Sequence, residues 1–334
     1  MRAMALERPA PVETAPLQLL SMPVPEPRPG ELRVRVHVCG VCRTDLHVVE
    51  GELAPQRARV VPGHQVVGIV DAAGPSPSRF AVGERVGIAW LRATCGTCAA
   101  CRRGAENLCA GAEFTGWHAD GGYAEYAIVR SDFAYAIPDA LGDAEAAPLL
   151  CAGIIGYRAL RRARIFAGCR LGLYGFGASA HIAIQIARHL GCRVFVMTRE
   201  AKHRALAAAL GAEWTGAADD TPPELLDSAV LFAPAGLLVP TALAALDRGG
   251  TLALAGIYLT GVPPLDYQRH LFYERTLCSV TANTRQDGAE LLRLAAEIPI
   301  RPRTVLFPLA DANEALRQLK SDGFDGAAVL TVAP

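Results

Sequence analysis

Apolar and polar positions alternate with period two over Leu32-Arg33-Val34-Arg35-Val36-His37-Val38, the pattern of a strand with one buried face. Val66-Val67-Gly68-Ile69-Val70 is a shorter apolar run, and from Glu31 to about Val86 such runs are separated by Gly and Pro breaks, which predicts an all-β unit. Pro23, Pro25, Pro27 and Pro29 mark residues 1–35 as turns and edge segments rather than helix. From about Asp143 the pattern changes. Leu171-Gly172-Leu173-Tyr174 is a strand running into a glycine turn, and His181–Leu190 carries Ile182, Ile186 and His189/Leu190 at helical spacing. Strands follow over Cys192–Met197, Ser228–Ala233 and Gly250–Ile257, with helices over Ala201–Leu210, ended by Gly211, and over Pro240–Leu246. Alternating strand and helix implies a parallel sheet with right-handed crossovers.

The 334 residues suffice for about two domains, and 51% hydrophobic with 20% charged residues is enough apolar material for a sizeable core. Lysines plus arginines equal aspartates plus glutamates, so nothing points to a nucleic-acid partner. The N-terminal residues lack the apolar run of a secretory signal, and the cytoplasm is the expected compartment. Ala229–Leu246 carries no charge, but Pro234, Gly236 and Pro240 and its place between a strand and a helix argue against a membrane span. Ten cysteines without a secretory signal point to metal binding rather than to disulfides.

Cys95-x-x-Cys98-x-x-Cys101-x7-Cys109 places four sulfurs in one short loop, enough to surround a tetrahedral zinc ion and leave no open position. The spacing matches iron–sulfur runs only loosely, and no proline follows Cys109. A structural zinc is the expectation. Cys42, in Cys39-Gly40-Val41-Cys42-Arg43-Thr44-Asp45-Leu46-His47, and His64, in Pro62-Gly63-His64-Gln65, are candidate ligands of a second metal. Taken singly, each reads as well as a buried core thiol or a structural imidazole. Gly175-Phe176-Gly177-Ala178-Ser179-Ala180 follows a strand and opens a helix, the setting in which such a turn binds a dinucleotide pyrophosphate. In that reading Gly175 permits the turn, Gly177 lets the backbone approach the phosphates, and Ala180 is the small third residue.

Taken together and in this order, Gly-Val-Cys-x-Thr-Asp-x-His, Pro-Gly-His, the four-cysteine loop and Gly-x-Gly-x-x-Ala resemble the zinc-containing medium-chain alcohol dehydrogenases through nearly the whole chain. Gly87–Leu91 and Asp120–Tyr126 look like the linking segments of the same family. The resemblance implies a GroES-like β-barrel catalytic domain over 1–145 and 286–334, with a Rossmann doubly wound parallel sheet over 146–285. It implies a zinc-dependent oxidoreductase that moves a hydride between a nicotinamide cofactor and a small alcohol or aldehyde, working as a homo-oligomer (dimer or tetramer). It also implies that Cys151, in Pro148-Leu149-Leu150-Cys151, completes a Cys42–His64–Cys151 catalytic zinc site with one open position. Two zinc ions per chain are then expected, one catalytic and one structural. Thr44 would accept the alcohol proton and relay it through cofactor ribose towards His47, while Arg43 and Arg285 would contact pyrophosphate. Trp90, Trp117 and Tyr258 are candidate pocket walls. Gln65 departs from the family's glutamate after the ligand histidine, which removes one negative charge near the metal.

Two other functions compete: a zinc-free enoyl or quinone reductase on the same fold, and a non-catalytic relative that binds zinc and nucleotide. For the cofactor, Thr198 occupies the end of the second Rossmann strand where an NAD-specific fold places an acid, and Arg199 follows it. A hydroxyl beside a guanidinium suits a 2′-phosphate, so NADP(H) is favoured over NAD(H), with Glu200 one residue further on as the counter-argument.

Overall fold

The computed structural model describes residues 1–298 and 300–332; the ends of the expected 286–334 segment at 333 and 334, and position 299 within it, lie outside the described residues. The chain forms two compact units, Met1–Cys151 with Ala282–Pro334, and Ala152–Thr281.

In the first unit the strands are β1 (Arg2–Leu6), β2 (Leu17–Ser21), β3 (Glu31–Val41), β4 (Gln65–Ala73), β5 (Arg85–Ile88), β6 (Leu91–Ala93), β7 (Glu113–Phe114), β8 (Tyr126–Arg130) and β9 (Ala134–Ala136). The expected alternation is observed in β3: Leu32, Val34, Val36 and Val38 are buried while Arg35 is exposed. β3 is long enough to pair with β4 and β8, both antiparallel, and to receive the returning chain. The all-β expectation for Glu31–Val86 is interrupted by a helix at Arg43–Glu50, because Asp45 caps it by accepting the Cys42 N–H. β1 and β2 pair with each other on the N-terminal side of the proline cluster, which itself forms no helix.

The second unit contains β10 (Arg170–Tyr174), β11 (Arg193–Met197), β12 (Trp214–Gly216), β13 (Leu226–Leu231), β14 (Leu246–Leu254) and β15 (Thr276–Ser279). They form one six-stranded parallel sheet in the order β12-β11-β10-β13-β14-β15. This is the doubly wound Rossmann order, whose switch point lies beside β10, the strand that feeds the glycine turn. Helices Ala178–His189, Ala201–Ala209 and Leu238–Ala244 connect the strands. The strand expected over Gly250–Ile257 instead spans Leu246–Leu254, since parallel pairing with β13 ends at Leu254. The uncharged stretch Ala229–Leu246 is divided among β13, a loop, a helix of seven residues and the start of β14. Among the described residues no helix is long and apolar enough to cross a membrane.

The chain then returns to the first unit through helix Arg285–Glu297, β16 (Thr304–Pro308), helix Ala312–Lys320 and β17 (Ala327–Thr331). β17 pairs antiparallel with the Val38–Val41 end of β3, next to the segment that carries Cys42.

Candidate metal centre

Three separate segments of the first unit converge. Cys42 follows β3 and sits at the N-cap of helix Arg43–Glu50. His64 follows Gly63, whose φ of +97° suits glycine, and a Cβ at Gly63 would lie 2.8 Å from the Cys39 sulfur. Cys151 lies in one π-helical turn, Leu149–Gly153, between helices Asp143–Pro148 and Ile154–Arg162. Such turns reposition a side chain relative to regular helix and recur at functional sites. Cys42 Sγ is 3.3 Å from His64 Nε2 and 4.0 Å from Cys151 Sγ. A tetrahedral zinc with bonds of roughly 2.3 Å has sulfur–sulfur edges of about 3.8 Å, so these separations match one shared ion.

The protonation chemistry points the same way. Burial pushes the Cys42 thiol well above its ordinary value. Burial alone would lower His64, but the charge of Asp45, and then that of Cys42, outweighs it and raises the imidazole to about 10. Without a cation the cluster therefore holds protons, and a divalent ion would replace them.

Asp45, which the sequence reading left without a role, organises this centre. Buried at 1% exposure, it accepts the Cys42 N–H at 2.9 Å, the Gly63 N–H at 3.1 Å and a hydrogen bond from His64 Nδ1 at 3.1 Å. A hydrogen bond at Nδ1 leaves Nε2 as the ligand nitrogen. Trp90 stands edge-on to His64 with ring centroids 4.8 Å apart, and Trp117 and Phe114 stack on Trp90. Gln65 is buried with its Nε2 unpaired, and its Oε1 would lie 2.6 Å from a Cβ at Gly40. Thr44 is buried, and His47 engages Glu52 through Nδ1. Arg43 is exposed at the first position of the same helix.

The second cluster is local. Cys95 Sγ lies 3.5 Å from Cys109 and 3.9 Å from Cys101, and Cys98 lies 3.5 Å from Cys101. Backbone N–H groups point at the sulfurs: Cys98 N–H donates to Cys95 and Cys101 N–H to Cys98. The backbone bond from Thr97, followed by that from Cys98, pulls Cys95 down to about 6, and the bond from Cys101 lowers Cys98, whereas desolvation pushes Cys101 up to about 11. These two are the groups of three or more metal-ligating side chains found among the described residues.

In the second unit, Gly175 has φ of +87°, and a Cβ there would meet the Ala233 nitrogen at 2.8 Å. Gly177, at the start of helix Ala178–His189, has open space where its Cβ would be. Ala180 is fully buried. Thr198 is buried just after β11, and its carbonyl accepts from Arg204. The Arg199 side chain is 87% exposed and pairs with Glu200 at 3.0 Å. Tyr258 is exposed in this unit. Arg285, at the start of its helix in the first unit, gives its backbone N–H and Nε to Glu106 and lies over the Phe133 ring.

With this geometry in hand, comparisons with known proteins agree on one family. Residues 28–139 match the profile of the alcohol dehydrogenase GroES-like domain, and residues 180–297 that of the zinc-binding dehydrogenases. A probable alcohol dehydrogenase, AdhA, of Mycobacterium tuberculosis is 54% identical, covering 99% of this chain and 97% of its own. An alcohol dehydrogenase of Geobacillus stearothermophilus is 32% identical over 95% of this chain and 96% of its own. The cobalt- and zinc-bound thermostable alcohol dehydrogenase of Pyrobaculum aerophilum superposes with a TM-score of 0.90 at 29% identity, covering 99% of each chain.

Proposed function

The chain belongs to the zinc-containing medium-chain alcohol dehydrogenase family, and from that premise we propose a zinc-dependent, nicotinamide-linked oxidoreductase acting on a small alcohol or aldehyde at Cys42, His64 and Cys151. The observation that carries this reading is the meeting of those three donors, from segments far apart in the chain, at distances suited to one tetrahedral ion. A zinc ion there supplies an open Lewis-acid position for the substrate oxygen, and the nicotinamide supplies the hydride acceptor or donor. The protein's own groups do the rest. Asp45 fixes the tautomer and orientation of His64. Thr44, two residues after Cys42, holds the proton that leaves the alcohol, and His47 one turn on carries it towards solvent. Trp90, edge-on to His64, walls the substrate side. A complete donor triad leaves a zinc-free reductase no residue-level support, and the alcohol dehydrogenase relatives favour an enzyme over a non-catalytic relative.

Gly175, Gly177 and Ala180 form the turn that takes the pyrophosphate. Arg285, held by Glu106, would take up an anion only by releasing that carboxylate. Thr198 and the exposed Arg199 favour NADP(H), because no carboxylate occupies the end of β11. A second zinc, held by Cys95, Cys98, Cys101 and Cys109, stabilises the loop. Metal-binding thiols suit a reducing compartment, in keeping with the cytoplasm, and the family likeness points to a homo-oligomer.

Cys151→Ser tests the reaction centre: turnover should fall to background while circular dichroism and nucleotide binding stay as in wild type. Retained turnover would remove Cys151 from the site. For the cofactor, wild type should show a higher kcat/KM with NADP(H), and Arg199→Ala should lower that value about tenfold with little effect on NAD(H). A wild-type preference for NAD(H) would reverse the assignment.

A further inference from the structure

Among the cysteines outside both metal clusters, two face each other. Cys169 immediately precedes β10 and Cys192 immediately precedes β11. These strands run parallel with Arg170 opposite Arg193, and Arg193 N–H donates to the Cys169 carbonyl at 2.9 Å. The two cysteines therefore occupy the step before the first paired positions of adjacent strands. Neighbouring strands lie about 4.8 Å apart, within the range of Cα separations that a disulfide spans. Their sulfurs are 3.3 Å apart. Cys169 is fully buried and Cys192 nearly so, and Cys192 Sγ lies 3.7 Å from the carbonyl of Phe166, whose side chain is exposed.

We propose that Cys169 and Cys192 form a reversible dithiol–disulfide couple that closes the β10–helix–β11 segment into a covalent ring. The two positions are 23 apart in the chain, so the bond would constrain a loop of useful length in the unfolded state. The pair is also chemically unequal. The hydrogen bond shared with Cys192 pulls Cys169 down to about 7 and pushes Cys192 up, which makes Cys169 the attacking sulfur. With a peroxide as oxidant, the Cys169 thiolate attacks one peroxide oxygen; the O–O bond breaks, leaving a sulfenic acid and, after protonation, one water. Cys192 sulfur then attacks the sulfenic sulfur; the S–S bond forms as the S–O bond breaks, and the second water leaves. In sum two thiols lose two electrons and two protons, and hydrogen peroxide becomes two waters. A low-molecular-weight dithiol returns the electrons.

The glycine turn and Thr198 lie at the opposite ends of these strands, roughly 20 Å away at about 3.3 Å per residue. The bond should therefore change stability and leave turnover alone. The experiment uses the full-length, metal-loaded protein, treated with a small excess of hydrogen peroxide, then unfolded and quenched in denaturant with N-ethylmaleimide and mapped by peptide mass. The expected product is a Cys169–Cys192 linked peptide, two hydrogens lighter than its parts and reversed by dithiothreitol. Its melting temperature should rise by about 5 °C, with kcat within twofold of the reduced protein. In Cys192→Ser the linked peptide and the thermal shift should vanish, and dimedone should label Cys169. If that variant fails to fold, Cys192→Ala and the wild-type map carry the same test. Peroxide that links only the four-cysteine loop, or leaves Cys169 and Cys192 both alkylated, overturns the proposal.

Discussion

Asp45 shows how far single residues could be read. The sequence reading gave it no role, yet three positions after Cys42 it caps the helix: Oδ2 accepts the Cys42 N–H. Only the folded chain reveals that Oδ1 also takes the Gly63 N–H and the His64 ring, because that oxygen's partners lie 18 and 19 positions away. One carboxylate thus ties two ligand segments together. Asp45→Asn should keep the cap but leave one former acceptor position as a donor facing a donor. Metal affinity at the Cys42–His64–Cys151 centre should fall about 10–100-fold. Chelator competition measures it, and an unchanged affinity would show that His64 is oriented by something else. Cys151 was illegible for a different reason. It sits in an apolar run like any core cysteine, and its partner Cys42 is 109 positions away, so only the family likeness reached it. Arg199 was legible as a cation beside Thr198, but its ion pair with Glu200 was not.

Elements were legible where one face is buried, and their pairing was not. The alternation of β3 and the strand–turn–helix at Gly175 emerge from side-chain periodicity alone. The strand over Leu246–Leu254 starts earlier than its apolar residues suggest, because Asp247, Arg248, Gly249 and Gly250 fall within it. Polar side chains at strand ends answer to neighbouring strands. Asp227 on β13 accepts the Arg170 backbone N–H at 2.8 Å and its guanidinium at 2.6 Å, and Arg170 also reaches Asp247 on β14. Those hydrogen bonds hold the Asp227 carboxyl below its ordinary value. A carboxyl that is more acidic in the folded chain contributes stability above its unfolded value, near pH 4, and loses that contribution as pH falls through the lower folded value. The group is partly exposed and screened, so Asp227→Asn should cost about 1 kcal/mol at pH 7 and progressively less towards pH 3. Urea unfolding at both pH values decides it; a cost that grows on acidification would contradict this origin.

At the scale of the molecule, the order of the motifs was readable, whereas the return of the chain over 286–334 was reached only through the family resemblance. β16 and β17 are as apolar as the strands of the parallel sheet, and nothing local says that β17 pairs with β3. The two metal clusters divide the molecule differently. Purified protein should carry two zinc ions per chain by elemental analysis. Cys98→Ser should remove one and lower the melting temperature by several degrees, since a structural zinc contributes directly to folding. Cys151→Ser should remove the other and leave the melting temperature nearly unchanged. Finding one ion in the wild type would leave one cluster as free thiols. The clusters also differ in when they can exist. Cys95 and Cys109 lie 14 positions apart on one loop, whereas Cys42 and Cys151 need β3, the Gly63 turn and the π-helical turn already in place. If the loop holds zinc as proposed, it could capture that ion on the ribosome as soon as Cys109 has emerged, before Cys151 has been translated. A cell short of zinc would then accumulate chains that are half-loaded, well folded and silent, and a later supply of metal would switch them on without new synthesis.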